Sequence, residues 1–114
     1  MERKPLSFGI TITVTGAVGG AGGSGNNTTP SNSAISNAGG YIRQIIVDAP
    51  EDTATYDFRI ANVNGRNIYK RTGLVGDHLE DLQTPMPAGT YTCYIENASH
   101  NGSYPIEVVY AEVY

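Results

Sequence analysis

Along residues 6–15 apolar and small polar side chains alternate, with Leu6, Phe8, Ile10, Ile12 and Val14 set against Ser7, Gly9, Thr11, Thr13 and Thr15. A period of two places each set on one face of a β-strand, so one face meets a core and the threonine face meets water. Residues 41–48 resume as a strand. There Ile42, Ile45, Ile46 and Val47 are too continuous for alternation and predict burial on both faces. After Ala49-Pro50 and a polar turn at Glu51, Asp52 and Thr53, a third strand sets Tyr56, Phe58 and Ile60 against Thr55, Asp57 and Arg59. Asn64-Gly65 then predicts a hairpin with a type I′ turn, since both residues tolerate positive φ, and a fourth strand follows through Arg66 to Lys70. Residues 72–87 are less regular. Leu74, Leu79 and Leu82 can pin this stretch to the core, but Pro85 and Pro87 forbid a regular continuation, so a loop with at most a short strand is expected. Residues 90–97 alternate again, Tyr91, Cys93 and Ile95 against Thr92, Tyr94 and Glu96. The final strand, residues 103–114, carries Tyr104, Ile106, Val108 and Tyr110 on one face and still offers Val109 and Val113 on the other.

About six to eight strands at this spacing predict an all-β chain forming a single antiparallel β-sandwich, with a jelly roll as the favoured architecture. A chain of 114 residues encloses one core, so residues 1–114 are read as one domain.

The interval 16–40 interrupts the pattern with Gly, Ser, Asn, Thr and Ala, and only Val18 and Ile35 have side chains of any apolar size. Such side chains do not repay the entropy of ordering the backbone. Structureless stretches longer than about 12–15 residues are also uncommon in compact domains unless they act on something. The interval is therefore read as a long loop or arm held by a neighbouring molecule, with Val18, Asn26, Asn27 and Ile35 as candidate partner contacts. Tyr94, on the less apolar face of its strand, joins them, as do Val113 and Tyr114 at the two-sided apolar end. Tyrosine both fills cores and is enriched where proteins meet.

Charge and cysteine content narrow the function. Seven basic against eleven acidic residues give a net charge of −4, and only Arg66, Lys70 and Arg71 lie close together, so no basic stripe is available to follow a phosphate backbone. Nucleic acid is not an expected partner. Cys93 is the lone cysteine, which forbids an intramolecular disulfide, and its apolar strand predicts inert burial. The basic start at Arg3 and Lys4 is not followed by the apolar run of a secretory signal, and no stretch approaches the roughly 20 apolar residues of a membrane helix. A chain made, and kept or assembled, in a cytoplasm is expected.

Candidate chemistry is sparse. His78 and His100 are the only imidazoles, and neither lies in a nucleophile–base motif, so both are read as solvated loop residues and no catalytic set is predicted. The acids Asp48, Glu51, Asp52 and Asp57, and the group Asp77, Glu80 and Asp81, match no calcium loop. The glycines from Gly19 to Gly25 lead into Asn, Thr and Ser instead of a lysine-bearing helix start, so they form no phosphate cradle. No metal and no cofactor is predicted.

Pro87-Ala88-Gly89-Thr90-Tyr91-Thr92, then Ile95-Glu96-Asn97 and Gly102-Ser103-Tyr104-Pro105-Ile106-Glu107-Val108, resemble the closing strand pair of jelly-roll modules, including secreted prepeptidase-type domains and carbohydrate-binding modules. With its lone cysteine, its long Gly/Ser/Asn arm and its lack of reactive motifs, the chain also resembles small bacteriophage virion proteins of the head decoration or cement type. That resemblance implies a virion protein that binds the major capsid protein, acts as a homo-oligomer or within a symmetric lattice, and is assembled in the host cytoplasm. The alternative is a sugar-binding accessory module using tyrosine rings and asparagine side chains. The lack of tryptophan disfavours a sugar platform.

Overall fold

The computed structural model describes residues 3–14, 35–37 and 39–113. These form eight strands: β1 Arg3–Val14, β2 Ile35–Asn37, β3 Gly40–Val47, β4 Thr55–Asn62, β5 Asn67–Val75, β6 His78–Met86, β7 Gly89–Glu96 and β8 Gly102–Val113. One four-stranded sheet has the order β1-β8-β3-β6 and the other the order β2-β7-β4-β5. The pairings are nested, since β1 joins β8, β2 joins β7, β3 joins β6 and β4 joins β5, all antiparallel. A first strand paired with the last, and so inward, is one long hairpin rolled over two sheets. The β3–β8 and β4–β7 ladders then close each sheet. This is the jelly roll that the spacing of the strands predicts.

The alternating positions supply the core between the sheets. Ile12 and Val14 of β1, Ile42, Ile45 and Val47 of β3, Phe58 and Ile60 of β4, Cys93 and Ile95 of β7, and Ile106 and Val108 of β8 are all buried. Truncating a fully buried isoleucine such as Ile45 would cost about 2–5 kcal/mol. Burial pushes the Cys93 thiol up to about 12, so it serves as a small apolar side chain.

Three expectations change. In β3, Arg43 is an extra residue between Ile42↔Tyr110 and Gln44↔Val109, a bulge relative to β8. The bulge lets Ile42 and Ile45 both face inward although three positions apart, and Ile46 faces outward and is only half-buried. The strand is therefore not buried on both faces. Residues 72–87 are mostly strand: β5 runs on to Val75, and β6 occupies nine residues. Its pattern was hard to read because it is an edge strand whose inward positions include the polar His78, Glu80 and Thr84, while Leu79 points out. Pro85 fits there because an edge strand has one side free of the ladder, as does Pro5 in β1. Finally, the β4–β5 hairpin falls at the expected place with a different turn. The Asn62 N–H donates to the Arg66 carbonyl and the Gly65 N–H to the Asn62 carbonyl, and only Gly65 has positive φ, at 81°. A type I turn closed by a glycine bulge gives the same strand twist as a type I′ turn without requiring positive φ at Asn64.

Gly76, between β5 and β6, is held on three sides. Its N–H donates to the Ala54 carbonyl at 2.8 Å, and its carbonyl accepts the Tyr56 hydroxyl at 2.7 Å. A side chain there would meet the Asp52 carbonyl oxygen at 2.9 Å with φ at +66°, whereas at Gly73, φ +67°, it would enter open space. Gly73→Ala is expected to lose about 1 kcal/mol, the left-handed strain alone. Gly76→Ala should lose at least about 1 kcal/mol more. Urea unfolding of both variants measures the difference, and equal losses would refute the role of the Asp52 contact.

Candidate binding surface

The polar groups suited to chemistry gather at the rims of the sandwich. At the edge where β5 of one sheet lies beside β6 of the other, Tyr69 donates its hydroxyl to Glu80 Oε1 at 2.7 Å. Arg71 reaches the same carboxylate with Nε at 3.0 Å and Nη2 at 2.6 Å, and His78 Nε2 lies 3.3 Å from Oε1. The Arg71 hydrogen bonds, helped by those of Tyr69 and His78, hold the Glu80 carboxyl down to about 2. Burial and the adjacent carboxylate push the Tyr69 phenol up. His78 thus opens a strand and seals an edge; it is not the solvated loop residue expected from the sequence.

Where the β3–β4 and β7–β8 connections meet, Ser99, His100 and Glu51 stand in the order of a nucleophile, a base and an acid. Ser99 Oγ is 2.7 Å from His100 Nδ1, and His100 Nε2 is 3.7 Å from Glu51 Oε2. Ser99 is nevertheless 0 % exposed, its Oγ already accepts the Thr55 N–H at 2.8 Å, and its own N–H donates to the Thr55 carbonyl. A reacting carbon has no approach to that oxygen, so the trio ties the β7–β8 turn to β4. His100, too, is half-buried.

Three further acids are likewise committed. Asp57 accepts the Gly73 N–H and an Asn97 amide hydrogen, Asp77 accepts the Ala49 N–H, and Asp81 accepts from Gln44 Nε2 at 2.7 Å. Among the described residues no three metal-ligating side chains gather.

Two outward faces remain, and they differ. On the second sheet, Arg59 lies 3.8 Å over the ring of Tyr94 and pairs with Glu96 at 2.9 Å. Tyr94, predicted as a partner contact, is there a half-buried platform for Arg59. On the first sheet, strand register sets Glu107, Ile46 and Leu79 in one outward row and Val109, Gln44 and Asp81 in the next. Leu79 is 61 % exposed, and Ile46 and Val109 are half-buried without a covering layer among the described residues. These three form an apolar stripe across β6, β3 and β8. The predicted set did not include them, although the unbroken run Ile45-Ile46-Val47 and the pair Val108-Val109 signal apolar groups on both sides of a strand.

Of the other predicted contacts, Ile35 begins β2, paired with Tyr91, and Val113 ends β8, paired with Arg3. Val18, Asn26, Asn27 and Tyr114 lie outside the described residues. An open groove of about 480 Å³ lies at the hairpin end, lined among others by Val63, Asn64, Arg66, Pro87, Thr90 and Tyr91.

The Glu80 cluster predicts a pH dependence. Its folded pKa lies below the ordinary 4.5, so its stabilisation is present above pH 4.5 and lost as pH falls from there through about 2. Glu80→Gln should lower stability at neutral pH by about 1 kcal/mol, the pair being partly solvated. It should also flatten the acid limb below pH 4.5. Thermal unfolding followed from pH 7 to pH 2 tests this, and parallel curves for the two proteins would refute it.

No known protein family matches the sequence, and no curated protein does. Among solved structures, a chain of the capsid asymmetric unit of cyanophage Pam1 is similar, with a TM-score of 0.48 and 13 % identity over 97 % of this chain and 85 % of that one. At that identity and TM-score the likeness brings neither a partner nor a role to this chain.

Proposed function

We propose that this chain is a structural protein of a virion, a decoration or cement protein that binds the major capsid protein and bridges its subunits, with no catalytic step. The observation that carries the reading is the division of the molecule's polar groups. The imidazoles, the buried serine and thiol, and the Glu80 cluster are all taken up in internal contacts. What is left for a partner is surface: an apolar stripe, and a Gly/Ser/Asn segment joining β1 to β2, each an edge strand of its sheet. A segment leaving from the sandwich edge is well placed to cross a subunit boundary. Many modest contacts repeated around a symmetric shell would then oppose subunit separation through avidity.

A sugar-binding module is the second reading, favoured by the 480 Å³ groove and its asparagines. The groove's lining holds a single aromatic ring, that of the buried Tyr91. Tyr56, Tyr69, Tyr91 and Tyr104 are buried, and the face of Tyr94 is covered by Arg59.

The test is reconstitution. Purified chain added to capsids lacking it is expected to co-sediment at a fixed stoichiometry and to raise the temperature at which the shells open. Replacing residues 16–34 with a Gly-Ser linker of the same length, which keeps the span from β1 to β2, should weaken that binding at least about tenfold while the sandwich stays folded. Absence of binding, or shells whose heat resistance does not change, would remove the capsid reading. Retention on a glycan array would favour the second.

A further inference from the structure

The outward face of the first sheet carries two charged side chains of opposite sign without partners among the described residues. Arg43, the extra residue of the β3 bulge, and Glu107 of β8 are both exposed, and neither side chain has a hydrogen-bond or ion-pair partner among the described residues. On the second sheet, by contrast, Arg59, Glu96, Asp57 and Asn97 satisfy one another. Register fixes where the unpaired charges lie. Glu107 shares a row with Ile46 and Leu79, while Arg43 lies beyond Gln44, in the direction of Tyr41. The stripe from Leu79 on β6 to Val109 on β8 runs diagonally between them. One face therefore has the anion Glu107 on one side of an apolar stripe, and on the other the cation Arg43 together with Asp81, whose carboxylate accepts the Gln44 amide.

We infer that this face docks a second copy of the same chain, about a twofold axis lying along the stripe. A rotation about that line exchanges its two sides, so Arg43 of one copy faces Glu107 of the other, twice, while Leu79 and Val109 meet their own counterparts. A contact of this kind requires a surface complementary to itself, and two unpaired opposite charges flanking an apolar line meet the requirement. A partner with a different sequence would need no such internal symmetry. The size is also suitable. The strands β1, β8, β3 and β6, at about 3.4 Å per residue and about 4.8 Å apart, give roughly 670 Å² per copy, within the roughly 600–1,000 Å² per partner of stable interfaces. The inference does not depend on the capsid reading, and its test contains no capsid.

The full chain is examined by sedimentation velocity and native mass spectrometry from low micromolar to several hundred micromolar. A dimer is expected. Leu79→Asp and Ile46→Asp should be monomeric with unchanged circular dichroism, because both side chains point outward. Arg43→Glu and Glu107→Arg should each weaken self-association at least about tenfold. An equimolar mixture of those two charge variants should recover a heterodimer, and the double variant should recover the homodimer, since either restores both opposite-charge pairs. A chain that stays monomeric throughout, an assembly of another order, a dimer indifferent to Leu79→Asp, or charge variants that fail to rescue each other would each overturn the proposal. So would Ile46→Asp and Leu79→Asp variants that remain folded and dimeric.

Discussion

Four buried tyrosines fasten the two sheets to the turns that connect them. Each places its ring in the apolar interior and its hydroxyl on an acceptor at the rim. Tyr56 donates to the Gly76 carbonyl, Tyr104 to the His100 carbonyl, Tyr91 to the Pro87 carbonyl and Tyr69 to the Glu80 carboxylate. The β5–β6, β7–β8 and β6–β7 connections and the edge strand β6 are thus each tied to the core by one side chain. The rings also meet one another, Tyr56 edge-on to Tyr104 at 5.3 Å and Phe58 tilted to Tyr69 at 5.8 Å. In a chain without tryptophan or disulfides, these amphipathic rings supply both core volume and the satisfaction of rim acceptors.

The same economy governs the edges. A sandwich has two sides at which unlike sheets lie edge to edge. At the β5–β6 side the gap is sealed by the Arg71–Glu80 pair with Tyr69 and His78. Charged groups turned into a seam satisfy each other, and their presence discourages further strand pairing there. The opposite side is formed by β1 and the short β2, from which the Gly/Ser/Asn segment departs.

The outward faces follow from bulges. Inserting Arg43 in β3 changes the parity of the strand, so that Ile46 and the unpaired guanidinium share the solvent side with Val109 and Leu79. On β5, Gly73 takes up a similar irregularity opposite Asp57, whose carboxylate accepts its N–H. The first irregularity exposes a surface, whereas the second is absorbed within the molecule. This contrast explains why Ile46, Val109 and Leu79 stand outward together on one sheet, whereas on the other the Asp57 carboxylate holds the irregular backbone.

Much of the architecture was legible in the chain because alternation is a local property. The strands of residues 6–15, 55–60, 90–97 and 103–114 could be read from which side chains share a face, and the sandwich followed from their number and spacing. The candidate surface was less legible. Ile46 and Leu79 read as core residues because the sequence does not show a bulge, and β6 read as a loop because its inward side chains are polar. Only the approach of Tyr69 and Arg71 from the other sheet half-buries Glu80 and His78. Likewise, Ser99 beside His100 is an ordinary turn in sequence, and its burial against Thr55 arises from contacts forty-four positions apart. The sequence by itself determined that the chain forms antiparallel strands around one tyrosine-rich core, because period and side-chain chemistry are carried by each segment. Which apolar groups stay outside, and which charges remain unpaired, was decided by register and bulges, which exist only once the strands have met.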